Sequence, residues 1–317
     1  MSKQTKLKRT EKGISFQAFA TAEIQEKRRT GQDNTADLYR TTRNRVRRFM
    51  RGKELDLRRI TSEWVFRFAA SLRAEGLRPN SVRTYLSNLR AIYNQACRER
   101  LIARPALSPF EGQLPRRERG ESRALDEKTL RKIAALRIED SDRKHEPALD
   151  LARFSLLACG MPFVDLVRLT VDNIQGNEIV YRRKKTGALI HVGIMPAMRK
   201  LIVKYAVKES RYLFPLLPAD RAVGHEEYKT LLRSYNQSLK EIGRSLPVPV
   251  RFTSYTMRHS WATNAYRKHV PLSVISQALG HASEQTTRHY LAALDQSELN
   301  RANERVTGEF GRLLATG

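Results

Sequence analysis

From residue 104 to 123 the chain reads RPALSPFEGQLPRRERGESR, with three prolines, two glycines and dense charge among few apolar side chains. Proline removes an amide donor and fixes φ, and glycine loosens the backbone, so such a run cannot continue a helix or strand. The chain is therefore expected to divide here, with a linker over 104–123 between two bodies that each bury a core. A length of 317 residues is enough for both.

On the N-terminal side, residues 1–13 read as a flexible basic arm, and 14–103 read as a helical bundle. Phe16, Phe19 and Ile24 share one face behind Ser15. From about Thr35 to Met50, Leu38, Val46 and Phe49 are expected inside, while Arg40, Arg43, Arg45, Arg47 and Arg48 surround the rest. Trp64, Phe68 and Leu72 recur at four-residue steps in a helix closed by Gly76. After Pro79 and Asn80, a stripe of Val82, Tyr85, Leu86, Leu89, Tyr93 and Ala96 completes the packing pattern of a bundle.

Charge indicates the kind of partner. Lys and Arg total 59 against 33 Asp and Glu, a formal net charge of +26, which points to a polyanion, with nucleic acid foremost. On that balance Arg40, Arg43 and Arg47 are expected to contact DNA phosphates. The start of the chain is basic without an apolar stretch behind it, so neither a secretory signal nor a membrane span is expected. Cys97 and Cys159 match no metal spacing and fit a reducing cytoplasm.

The C-terminal side, 124–296, is expected to be mainly α with a small β-sheet. A helix starts at Asp126, and an apolar helix runs from about Pro147 to Cys159. EIVYRR and ALIHVGI then read as a β-hairpin around Lys184, Lys185, Thr186 and Gly187. Helices return at 197–207 and about 225–243. A last amphipathic helix is expected over 297–317, with Leu299, Val306, Phe310 and Leu314 on one face.

Between the last two of these lies YTMRHSWATNAYRKHVPLSVISQALGHASEQTTRHY, residues 255–290, which gathers a guanidinium, several imidazoles and phenols. The mixture suits phosphodiester chemistry. Charge gathers on the non-bridging oxygens in the transition state, so preorganised Arg and His donors lower the barrier, and a tyrosine oxygen can then act as a covalent nucleophile. No metal, nucleotide or other cofactor is required.

This stretch resembles the tyrosine recombinase (phage integrase) family, whose C-terminal pattern runs His-x-x-Arg-His, Leu-Gly-His, then a nucleophilic Tyr. The resemblance implies a helical core-binding (DNA clamp) domain, an α+β catalytic domain, and strand cleavage with Tyr290 as nucleophile. Arg258 falls on the family's second catalytic Arg, His281 on its late His, and Lys185 on the hairpin lysine that protonates the leaving 5′ oxygen. Tyr255 stands where the family has its early His. Asp165 and His259 match supporting positions, and Arg182, Arg183 and Lys184 are expected to touch the DNA backbone. Pro162 occupies the place of the first catalytic Arg. Arg168 or Arg153 then substitutes for it, or the site works with one Arg, or the chain is a silent DNA-binding relative. A type IB topoisomerase shares the same chemistry and stays open as an alternative. The family further implies a homo-tetramer on double-stranded DNA carrying two sites, with accessory DNA-bending proteins among its partners.

Overall fold

In the computed structural model, residues 13–118, 124–291, 303, 304 and 307 are described. The expected basic arm lies outside them apart from Gly13, and the expected helix over 297–317 lies outside them apart from three positions. The chain forms two compact units, one on each side of 119–123.

The first unit contains α1 (Phe16–Arg29), α2 (Asp33–Phe49), α3 (Ser62–Ala74) and α4 (Pro79–Arg98). Their starts are set locally. Ser15 Oγ accepts from the Ala18 amide, Thr61 Oγ1 accepts from the Trp64 amide, and Pro79 occupies the first turn of α4, where no donor is lost. Phe16, Phe19, Phe68, Leu72, Leu86 and Leu89 fill the core. Phe49, Trp64 and Phe68 form an aromatic cluster with ring centroids 5.4–5.5 Å apart.

Two expectations change here. Leu38 was placed inside α2, but the buried stripe is Ala36, Tyr39, Thr42 and Val46, and Leu38 at its edge is 44% exposed. The expected linker is also not a free tether from 104 onward. Phe110 is buried with its ring 5.7 Å from that of Tyr93, Arg83 Nη1 donates to the Pro115 carbonyl at 2.6 Å, and Asn80 exchanges two hydrogen bonds with the Glu118 backbone. Burying one phenyl ring is worth about 1.5–3 kcal/mol, which offsets the ordering of a short proline-stiffened strap.

The second unit contains α5 (Glu127–Ala135), α6 (Glu146–Leu157), the short α7 (Phe163–Leu166), a three-stranded sheet, α8 (Pro196–Tyr205), α9 (His225–Ser245), α10 (Thr256–Arg267), α11 (Leu272–Leu279) and α12 (Glu284–Leu291). The sheet is antiparallel in the order β1 (Ile174–Gln175), β2 (Glu178–Arg182), β3 (Leu189–Gly193). The β2–β3 hairpin has the expected position, with Tyr181 opposite Ile190. β1 was not anticipated, because two residues carry no readable period.

α6 runs through the main core. The ring of Phe154 meets Phe214 at 4.8 Å, and Phe163 stacks on Tyr235 at 4.2 Å. α10 and α11 instead build a small cluster of their own from Ala262, Ile275 and Leu279, backed by Trp261 and Tyr266. With so little apolar surface there, polar contacts do much of the fastening at the turn that follows α11.

Candidate active site

Arg258 lies in the first turn of α10 and is 3% exposed. It can sit there because α6 ends on a left-handed turn through Cys159 and Gly160, with φ of 55° and 71°. A Cβ on Gly160 would stand 2.7 Å from Arg258 Cα, so only glycine lets the two segments approach. The guanidinium is held on three acceptors. Nη1 donates to the Gly160 carbonyl at 3.1 Å, and Nη2 to the Leu279 carbonyl at 2.6 Å and to His281 Nε2 at 3.1 Å.

His281 follows Gly280, which ends α11 in the left-handed region at φ 61°. An arginine can only donate, so Nε2 is the accepting nitrogen, and Nδ1 carries the proton that it donates to Thr287 Oγ1 at 2.8 Å. Burial, then the neighbouring charges of Arg258, Arg183 and Lys185, push the imidazole pKa down to about 4. His281 is thus neutral at physiological pH. Thr287 is fully buried in α12, and Tyr290 occupies the position three residues on, on the same side of that helix. The Tyr290 side chain lies outside the described residues.

The β2–β3 turn closes on the same place. Thr186 Oγ1 donates to the Gly280 carbonyl at 3.1 Å, clasping the hairpin to the His281 turn. Lys185 at the tip is exposed, as are Arg182 and Lys184. Arg183 is not: it is 6% exposed, donates through Nη1 to the Leu279 carbonyl, and holds its Nε 3.1 Å from Asp165 Oδ2. That last contact is an ion pair by distance, but its N–H is not aligned as a hydrogen bond. Asp165 is 4% exposed, and its Oδ1 accepts from the Lys184 amide at 2.9 Å. Burial raises its pKa, against the opposing pull of the Lys184 amide, Arg183 and Arg258. A site rich in guanidinium and ammonium donors suits an anion rather than a metal ion.

Residues 15–111 match the phage integrase SAM-like domain, and residues 124–297, which hold every group just described, match the phage integrase family. The chain belongs to this family of tyrosine recombinases. It is similar to the tyrosine recombinase XerD of Pseudomonas aeruginosa, 24% identical over 81% of this chain and 86% of that protein. Its fold is that of the Tn1549 transposon integrase solved with transposon right end DNA, at a TM-score of 0.65 and 13% identity over 93% of this chain and all of that one. A lambda integrase tetramer bound to a Holliday junction matches at 0.61 and 16% identity, over 88% of this chain and 77% of that one. Family membership supports DNA binding and site-specific recombination as the recombinase's activity.

Both expected substitutes for the missing arginine are engaged elsewhere. Arg153 gives Nε and Nη2 to the Ile133 carbonyl at 3.1 and 3.0 Å, and Nη1 to Asp150 at 3.1 Å, so it fastens the end of α5 to α6. Arg168 donates to the Val164 carbonyl at 2.8 Å and lies 4.9 Å from the centre of the Tyr228 ring. Neither joins the hydrogen-bonded group around Arg258. Pro162 caps α7, where its missing amide costs nothing. Tyr255 caps α10, 44% exposed, with its ring 6.1 Å from that of His259.

Arg183, taken from the sequence as one more backbone contact, is instead buried in the site. A signal for this was available: Ile179 and Tyr181 alternate along β2, Arg183 continues the same period one residue past its end, and the first two are core. The period of two therefore turns Arg183 inward. Thr186 and Thr287 had no such signal, since a hydroxyl's role depends on which carbonyl or imidazole the fold brings to it.

Proposed function

We propose that this recombinase cuts and rejoins DNA at a specific site through a 3′-phosphotyrosyl intermediate at Tyr290, without metal or nucleotide. The observation that carries the reading is one chain of hydrogen bonds. Arg258 bonds to His281, and His281 bonds to Thr287 of α12, the helix that bears Tyr290 three residues later. A phosphate donor, a neutral imidazole and the nucleophile's helix thus share one framework.

In this scheme the Tyr290 oxygen bonds to phosphorus as the bond to the 5′ oxygen breaks. Lys185 gives the departing oxygen its proton, and the phenolic proton leaves to water. Arg258 stabilises the charge that gathers on the non-bridging oxygens, and His281 Nε2, which accepts from Arg258, keeps that guanidinium aimed. Tyr255 offers a hydroxyl where the family has a histidine, so it can donate to a phosphate oxygen but cannot relay protons near neutral pH. Arg182 and Lys184 flank the site as phosphate contacts, and Arg40, Arg43 and Arg47 on α2 contact DNA phosphates from the first unit. The assembly proposed is a tetramer joining two sites through a four-way junction, supported by the likeness to the lambda integrase tetramer.

The deciding experiment is covalent capture. On a nicked suicide duplex carrying the target, the chain forms a protein–DNA adduct stable to denaturant, and Tyr290→Phe forms none. An adduct that survives in the Phe variant removes Tyr290 from the role. Relaxation of supercoiled plasmid with no partner exchange on paired sites would instead favour the topoisomerase reading.

A further inference from the structure

Two guanidinia end on one oxygen. Arg258 through Nη2 and Arg183 through Nη1 both donate to the Leu279 carbonyl, and both residues are almost wholly buried. Like charges drawn together on a neutral acceptor, away from water, cost free energy unless anionic charge offsets them. Asp165 supplies part of that offset on the Arg183 side. The backbone is cleared for each arginine by its own glycine. Gly160 makes room for Arg258, and a Cβ on Gly280 would stand 2.9 Å from both Arg183 Cγ and Ile190 Cδ1. Arg183 holds Nε near Asp165 without a hydrogen bond and gives Nη1 to Leu279, and its Nη2 has no acceptor among the described residues.

We propose that Arg183 is the second phosphate-binding guanidinium of this recombinase, supplied by the β2–β3 turn because the turn after α6 offers only Pro162. The assignment rests on the strand-transfer reading above. When the Tyr290 oxygen bonds to phosphorus and the 5′ oxygen leaves with a proton from Lys185, the non-bridging oxygens gain charge. Arg258 meets one side of that charge, and Arg183 meets it through Nη2. The Asp165 carboxylate lies 3.1 Å from the Nε edge of Arg183, so its charge orients the guanidinium before DNA arrives.

The test uses a duplex recovered from a randomised pool by retention on the Tyr290→Phe protein and rebuilt as a nicked suicide substrate. The adduct of the unaltered chain maps the scissile position. That position is then made either as an ordinary phosphate or as a neutral methylphosphonate. Arg183→Ala is expected to form adduct about 10²- to 10³-fold more slowly on the phosphate, the usual cost of one oxyanion donor. It should regain at least about tenfold on the methylphosphonate, because a neutral phosphorus centre needs one cation fewer. Arg183→Lys, which keeps charge without the fork, should fall between. Should Arg183→Ala melt below the assay temperature, Arg183→Gln, which keeps a donor for Leu279, takes its place in the comparison.

Cleavage of the phosphate at the unaltered rate overturns the assignment. So does equal slowness on both backbones, which makes Arg183 a strut for the Leu279 turn; either result leaves the strand-transfer reading standing. Absence of any adduct from the unaltered chain sinks that reading, and the role of Arg183 with it.

Discussion

The arginines of α2 and those of the catalytic unit carry the same charge in opposite settings. On α2, Arg47 and Arg48 are exposed, and Arg40 lies 3.1 Å from Asp37 on its own helix. Such pairs contribute little to stability and are screened by salt. Arg258 and Arg183 are buried, held on backbone carbonyls, and crowded onto a shared one. Charge on the surface sets how strongly and how fast a polyanion binds. In the mechanism proposed above, charge that is buried and oriented acts on one phosphorus atom, since its donors need no rearrangement as the barrier is crossed.

The sharpest way to break this contrast is to change one buried arginine and ask which quantity moves. Arg258→Lys keeps the charge but loses the fork that reaches Gly160, Leu279 and His281 together. Single-turnover cleavage should fall about 10²- to 10³-fold, while affinity for the same duplex stays within a few fold. Equal losses in both would mean that Arg258 binds DNA no differently from a surface arginine.

The converse change is Arg40, Arg43 and Arg47 to Gln together. If each neutralises one phosphate, the slope of log K against log salt should become shallower by about 2.7, and affinity at 0.15 M salt should drop by roughly 100-fold, with the gap closing towards 1 M. Cleavage at saturating protein should be unchanged. A slower saturated rate would show that α2 takes part in more than binding.

His281 offers a smaller effect that probes burial together with the surrounding positive charge. Its pKa is pushed from the ordinary 6.5 down to about 4. Above pH 6.5 the folded and unfolded chains both hold it neutral, and it adds no pH dependence. As pH falls from about 6.5 towards 4 the unfolded chain takes up a proton that the folded chain refuses, so stability falls across that window and levels off below it. Thermal melting should therefore lose ground from pH 6.5 to 4 in the unaltered chain and lose less in His281→Asn. Partial exposure of the ring makes this a modest effect, smaller than for a sealed imidazole.

How much of this was readable in the sequence depended on whether the cause was local. α4 carries its reason in a first-turn proline and a long apolar stripe, and the hairpin carries its own in two β-branched runs around Lys-Thr-Gly. Arg258, His281 and Lys185 were legible because their spacing resembles a known pattern, and the fold brings all three to one turn. The path of the strap at 104–118 is hidden in a composition dominated by charge and proline, because it is set by one ring, Phe110, and by the bonds from Arg83 and Asn80. The replacement for the missing arginine was sought along the helices next to Pro162. Adjacency in sequence favours Arg153 and Arg168, whereas the residue proposed above is the one that lies near both the Asp165 carboxylate and the Leu279 carbonyl, just past the end of β2.

Arg168 tests that last point with the smallest expected effect. It is one turn beyond Pro162 and close enough for its charge to lower the pKa of Asp165, so proximity alone would make it the substitute. Its guanidinium is committed to the Val164 carbonyl at 2.8 Å and to the face of Tyr228, contacts that fasten the end of α7 to α9 and do not join the group on Leu279. Removing it should cost about 1 kcal/mol of stability from the lost hydrogen bond and ring contact. Cleavage on the phosphate duplex should stay within about threefold of the unaltered chain, far short of the 10²-fold or more expected for a lost oxyanion donor. A loss of that larger size in Arg168→Ala, with recovery on the methylphosphonate, would transfer the second clamp from the hairpin turn to the turn after α7 and weaken the contrast between buried and more exposed arginines drawn above.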